Sequence, residues 1–302
     1  MKMTSLYTHR SAYIFLGTLF FFVAIVWSQV YEKGILHADT TPKENHSNIL
    51  TVAVLDIGQG DAIYVETPNG RQMIIDGGPK DNLLYALKDV MSSRDKSIDV
   101  LVITNPDVDH YNGFISLLET YTIGVVVEPG TNNDSPVYDV LEQEIISKNI
   151  AHTIARKGQR IILDKKNNIY FEILFPDRDV STWETNNGSI VGRIVYGDTS
   201  FLMMGDASFL TEGLVVANND ISGTDVLKVG HHGSKTSTGV ALLEAIQPSF
   251  AVISAGAGNR YGHPTPETLA RLSDDNIPTL VTIQDGTVVF FSDGKTVEKA
   301  SK

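Results

Sequence analysis

Apolar residues recur along this chain in three rhythms, and each rhythm predicts a different element. From Ala12 to Val30 the sequence reads AYIFLGTLFFFVAIVWSQV, with only Thr18, Ser28 and Gln29 as polar side chains. As a helix this stretch spans about 28 Å, close to the hydrocarbon thickness of a bilayer. Lys2 and Arg10 precede it, and Tyr13 and Trp27 stand near its ends, where interfacial aromatics belong. The pattern predicts a cytoplasmic N-terminus over 1–11, a transmembrane helix over 12–30, and a domain outside the cytoplasm. A cleaved signal peptide, leaving a secreted domain, is the competing reading. Residues 31–47 are polar and aperiodic, which predicts a linker.

From residue 48 to 302 two other rhythms alternate. Period-two or continuous apolar runs predict strands at Ile49–Asp56, Asp61–Glu66, Gln72–Asp76, Asp99–Thr104 and Gly124–Glu128. Helical spacing marks Asn82–Met91, Gly113–Thr120 and Val137–Ser147. Thr67-Pro-Asn-Gly-Arg71 joins two of the strands with an Asn-Gly hairpin signal. The second half repeats the scheme. Strands are predicted at Ile161–Leu163, Ile169–Phe175, Ile190–Tyr196, Ser200–Met204, Val226–Val229 and Ala251–Ser254. Helices are predicted at Leu210–Ala217, Gly239–Ile246 and Pro266–Leu272, and two short strands flank Asp285-Gly286. Two halves of this kind predict an α/β domain of two face-to-face sheets with helices outside, an αβ/βα sandwich.

Composition narrows the chemistry. The chain has no cysteine, so no disulfide or thiolate is available, and any metal must be held by His, carboxylate or amide groups. The formal charge of −12 is opposite in sign to that of a general nucleic-acid binder.

Four polar clusters sit at predicted strand ends, where sites concentrate in layered α/β folds. The first, Asn105-Pro-Asp-Val-Asp-His110, offers alternating side chains at 105, 107 and 109 plus an imidazole. Such a set suits Zn, Mn or Fe(II), although an Asp-rich turn could also simply cap the following helix. The others are Gly205-Asp206, His231-His-Gly-Ser234 and Tyr261-Gly-His263-Pro264. Of the five histidines after the linker, only His152 lies outside these clusters and reads as a surface or edge residue.

Asp56-Ile-Gly-Gln-Gly-Asp-Ala62, Ile75-Asp-Gly-Gly78, Asp107-x-Asp-His110, Asn186-x-x-Ser189, Gly205-Asp206, His231-His-Gly-Ser234 and Tyr261-Gly-His-Pro264 occur in that order. Together they resemble the metallo-β-lactamase-fold domain of ComEC-type competence proteins, from about Ile49 to the C-terminus. The multi-pass channel region of that family has no counterpart here, where a single candidate span is present.

The resemblance implies a divalent metal, Zn or Mn. Asp109, His110, Asp206 and His232 would hold one ion, Asp206 as a bridge, with Asp107 and Asn105 at a second position. Asp76 would orient the metal loop by hydrogen bonding. Asp109, His231 and His263 would take part in catalysis. Asn186, Ser189, Ser234 and Tyr261 would contact substrate. Whether His231 or His232 faces the metal is not decided by the sequence; His232 is preferred.

Two departures bear on this. Position 105 is His in the family pattern and Asn here, and an amide oxygen is a weaker ligand. The segment Asn186-Asn187-Gly188-Ser189 lacks the carboxylate that relatives often carry. The expectation is therefore one ion, with the second position impaired. The implied activity is hydrolysis of a phosphodiester or phosphate ester, including DNA, by water that the metal acidifies from 15.7 toward ~7. A channel protein would be the partner. The rivals are a degenerate, non-catalytic binding module, for which Asn105 is the support, and thioester or lactam hydrolysis.

Overall fold

The computed structural model describes residues 35–37 and 48–301. The predicted membrane span over 12–30 lies outside the described residues. Among those described, no helix is long and apolar enough to cross a membrane. The chain divides after Leu36 into two units, and residues 48–301 belong wholly to the second. Before them comes a short strand, β1 (Ile35–His37).

Strand β2 (Leu50–Val54) pairs antiparallel with β3 (Ile63–Glu66), and β3 with β4 (Gln72–Ile75). The Asn-Gly turn between the last two closes as predicted: the Thr67 N–H donates to the Arg71 carbonyl at 3.0 Å. The chain then alternates helix and strand: α1 (Asn82–Val90), β5 (Ser97–Val102), α2 (Val108–Thr120), β6 (Thr122–Glu128), α3 (Pro136–Ser147) and β7 (Ala151–Ile154). Strands β4 to β7 run parallel, as crossover helices require.

The second half opens with an antiparallel meander, β8 (Arg160–Asp164), β9 (Ile169–Phe175), β10 (Val191–Tyr196) and β11 (Thr199–Met203). Parallel strands follow: α4 (Phe209–Asn218), β12 (Val226–Lys228), α5 (Val240–Ile246), β13 (Phe250–Ile253), α6 (Pro266–Asp274) and β14 (Thr279–Val281). A one-turn helix, α7 (Thr282–Asp285), leads to β15 (Val288–Ser292) and β16 (Val297–Lys299). These last strands return to the first sheet, whose order is β16-β15-β2-β3-β4-β5-β6-β7.

Pleat alternation builds the layers. Ala53, Tyr64, Ile74 and Leu101 pack with Leu83, Phe114, Leu117 and Leu141 of the outer helices. Their neighbours Val52, Val65, Met73, Val100 and Val102 are equally buried and so belong to the opposite face. That face meets the second sheet: the Phe290 ring lies 6.2 Å from Phe201 and 5.6 Å from Phe250. Leu202, Leu227, Ala251, Leu243 and Leu272 form the matching core under α4 to α6. The result is the expected αβ/βα sandwich.

Helix α2 corrects the sequence reading, because it begins at Val108 rather than Gly113. Asp109 and His110 therefore lie in its first turn and not in a loop. The apolar spacing starts only at Tyr111, so polar residues hid the first turn. At Gly113 the helix comes so close to the strand-end turn that an added Cβ would stand 2.0 Å from the Gly77 carbonyl oxygen. That contact sets the depth at which Asp109 and His110 sit.

Strand β7 was not foreseen, but His152 lies on it, at the sheet edge, as an edge residue should. Its Nε2 lies 3.1 Å from Glu128 Oε1. The hydrogen bond that His152 donates to Glu128 raises the His152 pKa against the effect of burial. Burial works upward on Glu128, yet the His152 and Tyr138 hydrogen bonds hold it below its usual value. The histidine's contribution is complete below about pH 6.5 and fades as pH rises through its raised folded value. The carboxylate's contribution is complete above about pH 4.5 and fades as pH falls through its lowered folded value. His152→Gln should therefore lower the urea midpoint at pH 5.5 and leave it unchanged at pH 9; an equal loss at both values would contradict the ion pair.

Candidate metal centre

One end of the sandwich gathers the ends of β4, β5, β11, β12 and β13, and each contributes a polar side chain. Asp76 follows β4 with φ 61° and is fully buried. Its Oδ1 accepts the Thr104 N–H at 2.7 Å, and its Oδ2 accepts the Thr104 hydroxyl at 2.6 Å and His110 Nδ1–H at 2.9 Å. Asp76 thus holds both the loop after β5 and the His110 ring by hydrogen bonds.

His231 and His232 occupy a tight turn after β12, with φ of 47° and 54°. Left-handed geometry is unfavourable for bulky side chains, on the order of 1–3 kcal/mol each, and persists only where surrounding contacts enforce it. Here the His231 N–H donates to the Gly205 carbonyl at 3.0 Å, which ties the turn to Asp206. The paired conformation points the two imidazoles to different places.

His110 Nε2 lies 3.1 Å from Asp206 Oδ2. His232 Nε2 lies 3.6 Å from Asp206 Oδ1 and 3.5 Å from Asp109 Oδ2. His231 Nε2 reaches Asp206 Oδ2 at 3.7 Å, but that ring is partly exposed while His232 is buried. Among the described residues, Asp109, His110 and His232 offer ligand atoms that all lie within 4.8 Å of one another. His110 Nε2, His232 Nε2 and Asp206 Oδ1 are buried without hydrogen-bond partners. Buried polar atoms without hydrogen bonds are costly; three of them facing one another, two imidazole nitrogens and a carboxylate oxygen, fit a divalent ion.

The electrostatics agree with that fit. Burial opposes charge on His232, yet the Asp206 and Asp61 carboxylates lift its pKa to about 10. Burial likewise opposes charge on Asp206, but His110 and His232 hold it well below the usual carboxylate range. The cluster attracts positive charge. His263 lies beyond it, its ring 5.4 Å from His231. Burial, then the neighbouring imidazoles, push its pKa down to about 4.

The second metal position looks different. Asn105 is fully buried. Its amide donates to Asn186 Oδ1 at 2.8 Å and Ser189 Oγ at 3.3 Å, and its Oδ1 accepts the Asp107 N–H at 2.9 Å. Asp107 Oδ2 accepts the Thr185 hydroxyl at 3.1 Å. These residues form a closed hydrogen-bonded bracket. Asn186 and Ser189, read from sequence as substrate contacts, are part of it. Ser234 is buried, with its hydroxyl 3.0 Å from that of Thr236 in its own turn. Tyr261 is exposed, its ring stacked on His263 at 5.7 Å, and its hydroxyl accepts a hydrogen bond from Arg260.

Sequence reasoning passed over Asp61, Lys228 and Arg260. Lys228 left a signal: a lysine inside the apolar run of β12 is out of place unless a buried acid awaits it. Asp61 sat within a quoted motif without an assigned role.

The fold and this cluster define a class. Residues 55–257 match the metallo-beta-lactamase superfamily, and the chain belongs to that family, whose fold is usually hydrolytic. Within it, the chain is similar to ComEC-type competence proteins. It is 31% identical to ComE operon protein 3 of Bacillus subtilis over 79% of this chain and 32% of that protein. It is 28% identical to competence protein ComA of Neisseria gonorrhoeae over 82% of this chain and 33% of that protein. The chain thus spans about a third of the length of these relatives. Among solved structures, the metallo-beta-lactamase fold protein YhfI from Bacillus subtilis superposes with a TM-score of 0.53 at 9% identity, covering 83% of this chain and all of that one, a likeness of fold alone.

Proposed function

We propose that this domain is a metal-dependent hydrolase of phosphodiesters or phosphate esters that works with a single zinc or manganese ion. Asp109, His110, Asp206 and His232 would hold it. The carrying observation is the set of buried atoms without hydrogen-bond partners, His110 Nε2, His232 Nε2 and Asp206 Oδ1, facing one another. A bound ion would supply Lewis acidity and lower the pKa of a water toward neutrality.

This chain's own residues do the rest. Asp109, partly exposed at the mouth, orients the attacking water by accepting its hydrogen bond. Water would deliver its oxygen to phosphorus as the ester P–O bond breaks, and the departing oxygen would take the proton that the water gives up. His263, neutral at neutral pH, can accept the water's proton, and His231 faces the same space. Arg260 and Tyr261 stand at the rim, where a guanidinium can meet a phosphate oxygen. Relatives named for competence make a DNA phosphodiester the first substrate to try. The location that goes with this reading is outside the cytoplasm, tethered through residues 12–30, with a channel protein as partner; co-purification from membranes would test both.

The expected result is one zinc or manganese per purified full-length chain, with hydrolysis of bis(p-nitrophenyl) phosphate abolished by chelation and restored by either metal. A chain that retains no metal would instead support the second reading, a non-catalytic binding module, which the Asn105 bracket favours. A metal-loaded chain inert on phosphodiesters and phosphate monoesters would overturn the substrate class.

A further inference from the structure

Each histidine of the centre has a buried carboxylate at its Nδ1 edge. For His110 the partner is Asp76. For His232 it is Asp61, whose Oδ1 lies 3.2 Å from His232 Nδ1. The Nδ1–H itself is aimed at the Ser254 carbonyl at 3.1 Å, so Asp61 acts on the ring by charge at close range. Its Oδ1 is buried and has no hydrogen-bond partner. Its Oδ2 accepts from the Lys228 ammonium at 2.7 Å, and both side chains are about 1% exposed. The second partner of Lys228 is the Val229 carbonyl at 3.0 Å.

A buried ion pair of this kind commonly adds less stability than well-packed apolar side chains would. Stability therefore gives no reason for it, whereas the site does. The loop that carries Asp61 is bound to the centre at two further points: the Asp61 N–H donates to the Asp109 carbonyl at 3.3 Å, and the Ser254 hydroxyl donates to the Gly60 carbonyl at 2.7 Å. Asp61 comes near enough to Asp206 and His232 for the three to surround a cation. Lys228, however, occupies one of its oxygens, and the other sits on the Nδ1 edge of the ring, opposite the nitrogen that faces Asp109.

We infer that Asp61, braced by Lys228, is a positioning residue for His232, holding the ring so that Nε2 faces Asp109 and Asp206 and making that nitrogen a stronger ligand. This rests on the reading of His232 as a metal ligand. Carboxylates behind a ligating imidazole commonly change metal affinity 10–100-fold.

The test pairs Asp61→Asn with Lys228→Met in the full chain. Both charges leave together, so no lone ion remains in the core. Zinc affinity is read by competition with a chromophoric chelator, the apo Tm by circular dichroism, and the His232 Nδ1–H proton resonance by NMR of the zinc-loaded protein. The expected result is affinity weakened about 10–100-fold, a Tm equal to or above wild type, and an upfield shift of that resonance. Unchanged affinity and resonance would overturn the inference, as would a wild-type chain that binds no zinc. If zinc binds and the double variant weakens it while neither protein hydrolyses phosphodiesters, the hydrolase reading fails and the positioning role stands.

Discussion

Asp206→Ala is expected to empty the metal centre and lower phosphodiester hydrolysis about a thousandfold or more, roughly 4 kcal/mol of barrier. No other carboxylate in the cluster lies near all three imidazoles: the shortest distances are 3.1 Å to His110, 3.6 Å to His232 and 3.7 Å to His231. Without it, two buried histidines keep their inward nitrogens but lose the charge that draws a cation between them. Asp206→Asn tests whether charge or shape matters, because the amide keeps the volume and loses the negative charge. It should fail nearly as badly. Metal content and kcat/KM, measured together, check this; a variant that keeps its metal and more than a tenth of its turnover would remove Asp206 from the centre.

Gly60→Ala is expected to cost about 3–5 kcal/mol of stability, at the upper end of single-substitution effects. Its φ is +109°, and an added Cβ would stand 2.2 Å from the Asp109 carbonyl oxygen, a backbone atom that cannot swing aside. Relief must come from separating the loop at 58–61 from the first turn of α2, which moves Asp109 and Asp61 together. Metal affinity should fall with stability. Gly58→Ala is the control, since its φ of +81° is unfavourable but its nearest neighbour is a side-chain nitrogen at 4.0 Å. It should cost only about 1–3 kcal/mol. Urea denaturation of both variants decides the matter: equal losses would mean that backbone conformation, and not contact with Asp109, sets the cost.

Much of the layered fold could be read in the sequence because strands and helices differ in apolar period. The runs around Val100 and Leu227 are buried on both faces and read as continuous apolar segments. The Asn-Gly turn at 69–70 fixed a hairpin, and motif order drew attention to Asp76, Asp109, His110, Asp206 and His232, though not to the helix that carries Asp109 and His110. What escaped notice had weak local signals. The first turn of α2 is polar because its side chains serve the site, so its helical period was masked. Strand β7 is short and mostly exposed at the edge, with little apolar pattern to mark it.

The sequence by itself named candidate metal-holding side chains, Asp109, His110, Asp206 and His232 among them, because ligand chemistry is a property of residue type; it gave no role to Asp61, which stands among the carboxylates of the same cluster. It also showed that Asn105 breaks the pattern, though not what Asn105 does instead. Only the tertiary structure decided that the loop at 105–110 is divided. Asp109 and His110 turn inward on a helix, while Asn105 and Asp107 are locked into hydrogen bonds with Thr185, Asn186 and Ser189. It also decided that Lys228 and Asp61, 167 residues apart, meet behind His232. Distances of a few ångströms between residues so remote depend on how two sheets pack, and no local pattern carries that information.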